Sequence, residues 1–315
     1  MSRGKRSLVV VTGAIGFIGR AYCARAKANG VEVRKLVRKA QAAGDVGVDL
    51  VRATPDQLVR ALDGARAVVH LAARVHVMNE TPGANTEAAY RLANVDATER
   101  LAIAAVTAGA RRFVFASTVK VNGEATLPGR PFRPGDAPEP HDAYARSKLA
   151  AERTLAQVSS GTSMLATNLR LPLVYGAGAK GNFRRLVDAV AARRVLPVAG
   201  IDNRRSFVGL DNLLDAIDAV LAAESGVLGT HFVADAQSVS TPDLVRAIAD
   251  ALGVRARLVA IPPSMLKLAG LISGRGDTIA RLTDSLEVDT TSLARATAWR
   301  PRPFAIDAAT LARDL

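Results

Sequence analysis

The chain of 315 residues has one cysteine, few aromatic residues and no long apolar run. Cys23 has no second cysteine with which to form an intramolecular disulfide, so we expect a reducing, cytoplasmic location. No apolar stretch reaches the 18 or more residues of a membrane span. The nearest, residues 258–272, contains Pro262-Pro263 and Lys267, and we expect it in the core or in an oligomer contact. The four histidines and the cysteine show no ligand spacing, so no metal site is predicted.

The charge is strongly positive, with a formal value of +13 at pH 7. The 42 lysines and arginines are scattered, however, and aromatic residues make up only 4% of the chain, which leaves few platforms for base stacking. We therefore predict no specific nucleic-acid partner and interpret the basic surface as one that favours an acidic small molecule. The hydrophobic content of 49% is enough for a substantial core.

A glycine-rich turn follows the first apolar run. Residues 8–11, Leu-Val-Val-Val, predict a buried strand that leads directly into TGAIGFIG at residues 12–19. Gly13 can supply the positive φ of a tight turn, Gly16 lets the backbone approach a pyrophosphate, and Gly19 lets the next helix pack closely. Free N–H groups at that helix N-terminus suit phosphates. The pattern predicts a dinucleotide-binding site.

A second motif, YARSK, places Tyr144 and Lys148 four residues apart on one face of a predicted helix. A phenol with a pKa of about 10 is a poor base near neutral pH unless a cation such as Lys148 stabilises the phenolate. Upstream, the apolar strand 113–117 ends in the hydroxyls of Ser117 and Thr118. Ligands bind at the carboxyl ends of such parallel strands. Together these features indicate an enzyme.

Apolar strands alternate with amphipathic helices through the first half of the chain, which predicts a Rossmann-type α/β fold with a doubly wound parallel sheet. The predicted strands are 8–12, 31–37, 67–72, 113–117 and 164–171. The predicted helices are 20–29, 56–62, 88–108 and 144–158. We expect residues 1–175 to form the NAD(P)-binding domain, with returning segments near 206–239 that comprise a helix over 206–222 and a strand over 229–239. Residues 176–205 and 240–315 are expected to form a smaller, discontinuous C-terminal substrate lobe.

The sequence resembles the extended short-chain dehydrogenases/reductases of the NAD-dependent epimerase/dehydratase family, which act on nucleotide sugars. The matching pieces, in family order, are TGAIGFIG (12–19), VDL (48–50), HLAA (70–73), NVDAT (94–98), FVFASTVKVNGE (113–124), YARSK (144–148), RLPLVYGAG (170–178) and RRSFVGLDNLLDAI (204–217). More narrowly, STVKVNGE, HLAARVHVM and GNFRRL are similar to the branch of bacterial UDP-hexose 4-epimerases and the 4-ketoreductases of surface-polysaccharide synthesis.

The resemblance implies hydride transfer between a nicotinamide and C4 of a UDP-sugar. Tyr144 would carry the proton, Lys148 would bind the nicotinamide ribose and lower the pKa of Tyr144, and Thr118 would hydrogen-bond the oxygen that becomes the ketone. The predicted cofactor contacts are Gly13, Gly16, Phe17, Ile18, Gly19, Arg38, Asp49, Leu50, Leu71, Ala72, Ala73, Asn94, Tyr144, Lys148 and Pro172. The predicted substrate contacts are Lys120, Asn182, Arg205 and Arg281. His76 is a further pocket candidate, although a lone histidine is more often structural.

The chain departs from the epimerase pattern at two positions. Many NAD-dependent relatives end the second strand with an acidic residue, but Val37 stands here and is followed by Arg38 and Lys39. This basic pair would suit the 2′-phosphate of NADP, so NADP(H) is favoured over NAD. Leu173 stands where several epimerases and dehydratases have an asparagine that contacts substrate, so the identity of the sugar stays open.

The leading hypothesis is a 4-ketoreductase that makes a UDP-linked amino or deoxy sugar. The alternative is a UDP-glucose or UDP-N-acetylglucosamine 4-epimerase with tightly bound NAD. A dehydratase is disfavoured, because Thr118 is followed by Val119-Lys120 rather than an acid/base pair. A noncatalytic NAD(P)-binding regulator is a remote alternative, since Tyr144 and Lys148 are both present. The family also implies a homodimer through helices near 88–108 and 144–158.

Overall fold

A seven-stranded parallel sheet lies at the centre of the molecule, which the computed structural model describes for residues 8–75, 83–274 and 276–312. Its order is β3-β2-β1-β4-β5-β6-β9. The strands are β1 (Leu8–Thr12), β2 (Glu32–Val37), β3 (Asp45–Gly47), β4 (Ala65–His70), β5 (Arg112–Thr118), β6 (Leu165–Leu171) and β9 (Gly229–Phe232). The order reverses between β1 and β4, which is the switch point where such sheets bind ligands. The predicted Rossmann-type fold is confirmed.

Helices cover both faces of this sheet and build the rest of the chain. Those before residue 160 are α1 (Phe17–Ala28), α2 (Pro55–Ala61), α3 (Ala84–Tyr90), α4 (Ala97–Thr107) and α5 (Ala143–Ser159). Those after it are α6 (Gly181–Ala191), α7 (Leu210–Ala222), α8 (Thr241–Ala251), α9 (Pro263–Ile272), α10 (Gly276–Thr283) and α11 (Thr291–Ala296). Two short strands, β7 (Leu173–Tyr175) and β8 (Phe207–Gly209), pair outside the main sheet.

Most predicted boundaries agree with the structure to within three residues, and the larger differences are of three kinds. The helix expected over 88–108 is divided into α3, a π-helical turn at Arg91–Asp96, and α4. The strand expected over 229–239 ends at Phe232, because the chain then turns to pair Asp235 with residues of β8. The three-residue strands β3, β7 and β8 were missed, since so short a segment shows no measurable periodicity.

The sheet separates two apolar layers. Val9 and Val11 of β1 face a cluster that includes Leu213 and Ile217 of α7. Val10 faces the other cluster with residues of α2, α4 and α5. Successive strand side chains point to opposite faces, so a strand covered on both faces must be apolar at every position. This explains the uninterrupted apolar run LVVV of β1, which ends at the polar Thr12.

A third apolar cluster lies in the C-terminal part of the chain and contains Phe183 and Val187 of α6 together with Val245 and Ile248 of α8. Between the two C-terminal stretches, residues 206–239 supply β9, which pairs with β6 at the edge of the main sheet. Most residues of this cluster lie within 176–205 and 240–315, the two stretches for which a substrate lobe stays a prediction.

The helix α9 occupies most of the apolar stretch 258–272. Its Leu266 and Gly270 face inward, whereas Met265, Leu268, Leu271 and Ile272 are 58–80% exposed. The outer face of α9 is therefore not in the core of this chain, and of the two expectations for this stretch the oligomer contact stays a prediction there. Within the described parts of the chain, no helix has both the length and the apolar character that crossing a membrane requires.

Candidate active site

The glycine turn between β1 and α1 is tightly constrained by backbone. Gly13 has φ +66°, and a Cβ there would lie 2.7 Å from backbone atoms of Leu71 and Ala72. A Cβ on Gly19 would lie 2.1 Å from the Gly13 carbonyl oxygen, and the Gly16 N–H donates to that oxygen at 2.9 Å. Even the single methyl group of alanine would therefore force the backbone to shift at Gly13 or Gly19.

The same turn presents the N-terminus of α1. Gly16 caps the helix without a side-chain hydrogen bond, and the first turn holds no acidic residue. Phe17 and Ile18 therefore begin the helix with N–H groups that a phosphate can reach. This cradle fits the pyrophosphate of a dinucleotide, because both the close approach of the backbone and the positive end of the helix dipole are in place.

The end of β2 and the loop after β3 lie where the adenosine half is expected. Val37 is buried at the strand end, while Arg38 and Lys39 are exposed. The Asp49 carboxylate accepts the N–H of Val51 at 2.9 Å. Leu50 is half-buried, and its carbonyl is one of three in this loop to which Arg100 donates. The exposed basic pair is thus free of the acidic neighbour typical of NAD-specific strands.

A buried polar chain crosses the sheet at the carboxyl ends of β1 and β4. The Thr98 hydroxyl donates to the Asn94 carbonyl at 2.6 Å and lies 2.9 Å from His70 Nε2, so Nε2 is the protonated nitrogen. The Thr12 hydroxyl then donates to His70 Nδ1 at 2.6 Å and accepts the Ala72 N–H at 3.3 Å. Burial, with the charge of Lys148, lowers the pKa of His70 to about 3. The imidazole is therefore neutral and orders the loop that carries Ala72.

That loop, with half-buried Leu71, Ala72 and Ala73, is joined to α5 by Asn94. The Asn94 Oδ1 accepts the Arg74 N–H at 2.7 Å, and Nδ2 donates to the Arg74 carbonyl at 3.0 Å and to Ser147 Oγ at 2.9 Å. Asn94 lies in the π-helical turn, a distortion that often marks functional sites. Asn94 therefore holds the backbone of this loop against the helix that carries Tyr144.

Tyr144 and Lys148 lie on the first two turns of α5. Asp142 caps this helix by accepting the Ala145 N–H at 2.7 Å. Lys148 is buried, its Nζ donates to the Ala116 carbonyl at 2.6 Å, and it lies 4.1 Å from the centroid of the Phe115 ring. Burial lowers the pKa of Lys148 to about 7. The ammonium is therefore held against the end of β5, one helical turn from the phenol.

The pKa of Tyr144 is raised, chiefly by burial and further by the charges of Asp142 and Tyr90. From the sequence we expected the charge of Lys148 to lower this pKa, but that charge is not among the causes that act on it. The lysine is directed to the Ala116 carbonyl instead. Tyr144 is therefore a phenol that holds its proton at neutral pH.

Thr118 ends β5, and its Oγ1 accepts the N–H of Lys120 at 3.3 Å. Ser117, on the other face of the strand, donates to Glu152. The Lys120 ammonium is ion-paired with Glu124 at 2.9 Å and with Asp142 at 2.7 Å. Burial alone would lower its pKa, but these two carboxylates raise it. The structure thus places this predicted substrate contact against two protein carboxylates.

A buried ion pair between Glu152 of α5 and Arg170 of β6, which was not predicted from the sequence, joins the helix to the sheet. Glu152 accepts from Arg170 Nη2 at 2.6 Å and from Nε at 3.0 Å, and both side chains are about 5% exposed. Arg170 also donates to Asn122 Oδ1 at 2.7 Å. The only signal in the sequence is a charged residue inside the apolar strand β6. Asp142 had a clearer signal, because aspartate just before an amphipathic run is a typical helix cap.

The other three predicted substrate contacts lie in separate parts of the chain. Arg205 precedes β8 and donates to the Asp284 carbonyl at 2.7 Å. Its pKa is lowered, chiefly by burial, and the charge of Arg281 on α10 acts in the same direction. Arg205 is therefore repelled by the charge of Arg281 and attracted by the charges of Asp284 and Glu124. Asn182 is an exposed residue in the first turn of α6.

The strand register places Leu173 between the predicted catalytic and phosphate-binding groups. Leu171 pairs with Thr118, Pro172 follows, and Leu173 pairs with Phe207, two residues after Arg205. Leu173 is 37% exposed, as a side chain facing a ligand would be. His76 lies outside the described residues. Within the described ranges, no group of three or more His, Cys, Asp or Glu side chains is placed to hold a metal ion.

Comparisons with known proteins agree with this geometry. A UDP-glucose 4-epimerase of Vibrio cholerae is 37% identical over 241 residues, which cover 76% of this chain and 73% of that protein. A dTDP-6-deoxy-L-talose 4-dehydrogenase (NAD(P)(+)) of Kitasatospora kifunensis is 33% identical over 270 residues, 81% of this chain and 82% of the relative.

Solved structures show the same fold. MoeE5 in complex with UDP-glucose and NAD has a TM-score of 0.73 at 26% identity, with 94% of each chain covered. A UDP-N-acetylglucosamine 4-epimerase from Bacillus cereus has a TM-score of 0.76 at 20% identity over 97% of each chain. The model of the NAD dependent epimerase/dehydratase family matches residues 9–234, well over half of the sequence. The protein is therefore an enzyme of the NAD dependent epimerase/dehydratase family.

Proposed function

We propose that the protein transfers a hydride between NAD(P)(H) and C4 of a UDP-linked hexose, as a 4-ketoreductase in the synthesis of a surface-polysaccharide sugar. The observation that carries the proposal is that Lys148, one helical turn after Tyr144 on α5, donates to the Ala116 carbonyl at 2.6 Å, two residues before Thr118 at the carboxyl end of β5. Asn94 ties the loop beside the glycine turn to α5, through Ser147, whose hydroxyl donates to the Tyr144 carbonyl at 2.7 Å. Proton-transfer groups and the dinucleotide cradle thus share one edge.

The state of Tyr144 favours the direction of reduction. When bound, the reduced nicotinamide supplies the hydride. The sugar oxygen then needs a proton, and a phenol whose pKa is raised still holds one at neutral pH. Thr118 would hydrogen-bond the same oxygen, and Lys148 would bind the nicotinamide ribose. A positioned proton donor contributes roughly 10²–10⁴ in rate.

The exposed pair Arg38 and Lys39 supports NADP(H) as the cofactor. A guanidinium can bind a phosphate with two parallel hydrogen bonds, and no acidic side chain ends β2 to bind the ribose hydroxyls. A reductase consumes one reduced cofactor per turnover, so a dissociable NADP(H) suits this reaction. The Kitasatospora relative is described as NAD(P)-dependent, in keeping with this choice.

The neighbouring arginines support a nucleoside diphosphate as the substrate handle. Two half-buried cations that repel each other are stabilised together by an anion placed between them, and a UDP-sugar carries two phosphates. MoeE5 binds UDP-glucose in its complex, and it shares the fold at 26% identity. We assign the diphosphate to Arg205 and Arg281, with Asn182 at the N-terminus of α6.

The second candidate is a UDP-hexose 4-epimerase, and the 37% identity to the Vibrio cholerae enzyme favours it. An epimerase oxidises C4, lets the ketone rotate, and reduces it from the other face. Tyr144 would then accept as well as donate the proton, and the enzyme would retain NAD rather than exchange it. The ketoreductase reaction corresponds to the second, reducing half of the epimerase reaction, so the same residues serve both.

The deciding experiment measures what the purified protein retains and what it consumes. The protein is denatured and the released nucleotide is assayed, and cofactor-free protein is then titrated with NADPH and NADH. An empty site that binds NADPH and oxidises it only with a UDP-4-keto sugar supports the ketoreductase. Stoichiometric retained NAD, with interconversion of UDP-hexose epimers without added cofactor, supports the epimerase. The control is Tyr144→Phe, which should bind cofactor normally and lose turnover.

Two further predictions belong to the same proposal. We propose a homodimer through α4 and α5, where Ile103 is half exposed on α4. Sedimentation at several protein concentrations tests it, because a stable dimer keeps its mass on dilution.

We also keep the cytoplasmic location as a prediction, because UDP-sugars and NADP(H) are used there.

A further inference from the structure

Lys120 lies where the end of β5 meets the start of α5. Its main-chain N–H donates to Thr118 Oγ1 at 3.3 Å, and its Nζ donates to Asp142 Oδ2 at 2.7 Å and to Glu124 Oε1 at 2.9 Å. The other carboxylate oxygen of Asp142 accepts the Ala145 N–H at 2.7 Å. One carboxylate therefore joins the lysine to the first turn of the helix that carries Tyr144.

We propose that Lys120 is a positioning residue, which holds the start of α5, and with it Tyr144, in register with Thr118. The inference rests on the proposed function, in which Thr118 and Tyr144 act on the same sugar oxygen. The sequence suggested that Lys120 binds substrate; here we assign it a role within the protein instead. It touches neither hydroxyl with its ammonium, and acts through Asp142.

The ion pairs explain why Lys120 is held rather than available to substrate. Two of the three ammonium donors are used by carboxylates, and only 24% of the side chain is exposed. Moving the ammonium to a substrate would leave Asp142 and Glu124 partly buried without their cation, and breaking a pair in this way is costly. The geometry therefore favours a fixed lysine.

The same contact controls the charge beside Tyr144. The groups that act on the phenol are Asp142 at the helix cap and Tyr90 of α3, while Lys148, one turn further along α5, is directed to the Ala116 carbonyl. Around them lie the Lys120–Glu124 pair at the end of β5 and the exposed Arg146–Glu87 pair between α5 and α3. The ammonium of Lys120 offsets the carboxylate nearest to the phenol. Without it, the phenolate forms less readily.

The test compares Lys120→Met and Lys120→Arg with Lys27→Met, a change of an exposed lysine at the end of α1. The assay is oxidation of the UDP-sugar by NAD(P)+ over a range of pH, since this direction needs the phenolate. For Lys120→Met we expect kcat to fall about tenfold at neutral pH. The acidic limb of the plot of kcat against pH should move to higher pH by about one unit. The KM for the UDP-sugar should stay within about twofold. Lys120→Arg should restore most of kcat, and Lys27→Met should match wild type.

A second variant keeps the inference testable if Lys120→Met fails to fold. Asp142→Asn retains a capping side chain, because asparagine caps helices about as well as aspartate, but it removes the negative charge. The acidic limb should then move to lower pH, opposite to the shift for Lys120→Met. An unchanged limb in Asp142→Asn overturns the proposal. So does a Lys120→Met enzyme whose KM rises while its pH profile is unchanged, which would make Lys120 a substrate contact.

Failure of the proposed function is distinguished by a readout that needs no substrate. The chain has four tyrosines, so the ultraviolet absorbance of tyrosinate in the NAD(P)+-loaded protein, minus that of Tyr144→Phe, reports Tyr144. Lys120→Met should raise the pH of this transition. If wild type acts on no UDP-sugar but the shift occurs, the reaction is wrong and the positioning role holds. An unchanged transition overturns the role.

Discussion

Replacing Gly19 with alanine should break cofactor binding while leaving the rest of the fold in place. An added Cβ would lie 2.1 Å from the Gly13 carbonyl oxygen and 2.8 Å from Ala14 Cα. Ordinary Cβ contacts begin at about 3.4 Å, so the start of α1 must retreat from β1 by roughly 1 Å. The atoms in the way are backbone, so no side chain can rotate to relieve the clash.

This displacement acts where the pyrophosphate is expected. The N–H groups of Phe17 and Ile18 would move away from the phosphates by about the same distance, and a misplacement of this size typically costs about 10² in a positioned interaction. We therefore expect the Kd for NADPH to rise about 100-fold, close to 2.7 kcal/mol. The assay is a titration of NADPH fluorescence, with thermal unfolding measured on the same samples.

Gly135→Ala is the matched control, because a Cβ there meets no atom within 4 Å and the backbone is not in the left-handed region. It should bind NADPH as wild type does. A Gly19→Ala protein that is folded and binds NADPH with unchanged affinity would refute the assignment of this turn to the pyrophosphate. Equal losses in both variants would show that the effect is not specific to the cradle.

Three other predictions concern the groups around α5 and β2. Glu152→Gln should lower the free energy of unfolding by about 3 kcal/mol, because Arg170 stays buried without a full countercharge. The control is Glu87→Gln, in an exposed pair, which should cost less than about 1 kcal/mol in the same denaturant titration. In cofactor-free protein, Lys148→Met should raise the free energy of unfolding more at about pH 6 than at about pH 10. The pKa of Lys148 is about 7 in the folded protein and 10.5 ordinarily, so between these values the unfolded chain binds more protons than the folded one. The stability of the wild type therefore rises with pH in this range, and the penalty that Lys148→Met removes becomes smaller. A gain independent of pH would contradict this. Arg38→Ala should raise the Kd for NADPH about tenfold and leave that for NADH unchanged, as one lost phosphate contact would; equal effects on both cofactors would rule out a 2′-phosphate contact.

Local patterns in the sequence were sufficient to predict the elements that form from neighbouring residues. The apolar run of β1, the glycine turn and the helix that starts near Tyr144 are contiguous in the chain, so their periodicity and glycine spacing predict them directly. The alternation of such elements also predicts a parallel sheet, because right-handed crossovers leave few other arrangements. The confirmed Rossmann-type order follows from this rule.

The contacts around the candidate site could not be predicted in this way. The carboxylate of Asp142 lies 2.7 Å from the ammonium of Lys120, 22 residues earlier, and Glu152 pairs with Arg170 across two elements. Such distances depend on the position of α5 along β5 and β6, and that position is set by tertiary packing. Periodicity reports the face of a helix but not its position along the strand beneath it.

The charge states of the site were also decided by tertiary structure. The pKa of His70 is low and that of Tyr144 is raised mainly because the folded chain removes both from water, and no pattern of residue types gives the degree of that burial. The sequence by itself determined the fold class and which residues to examine. The tertiary structure decided that Lys148 contacts the Ala116 carbonyl and that α9 has an exposed apolar face, because both depend on the distance between surfaces far apart in the chain.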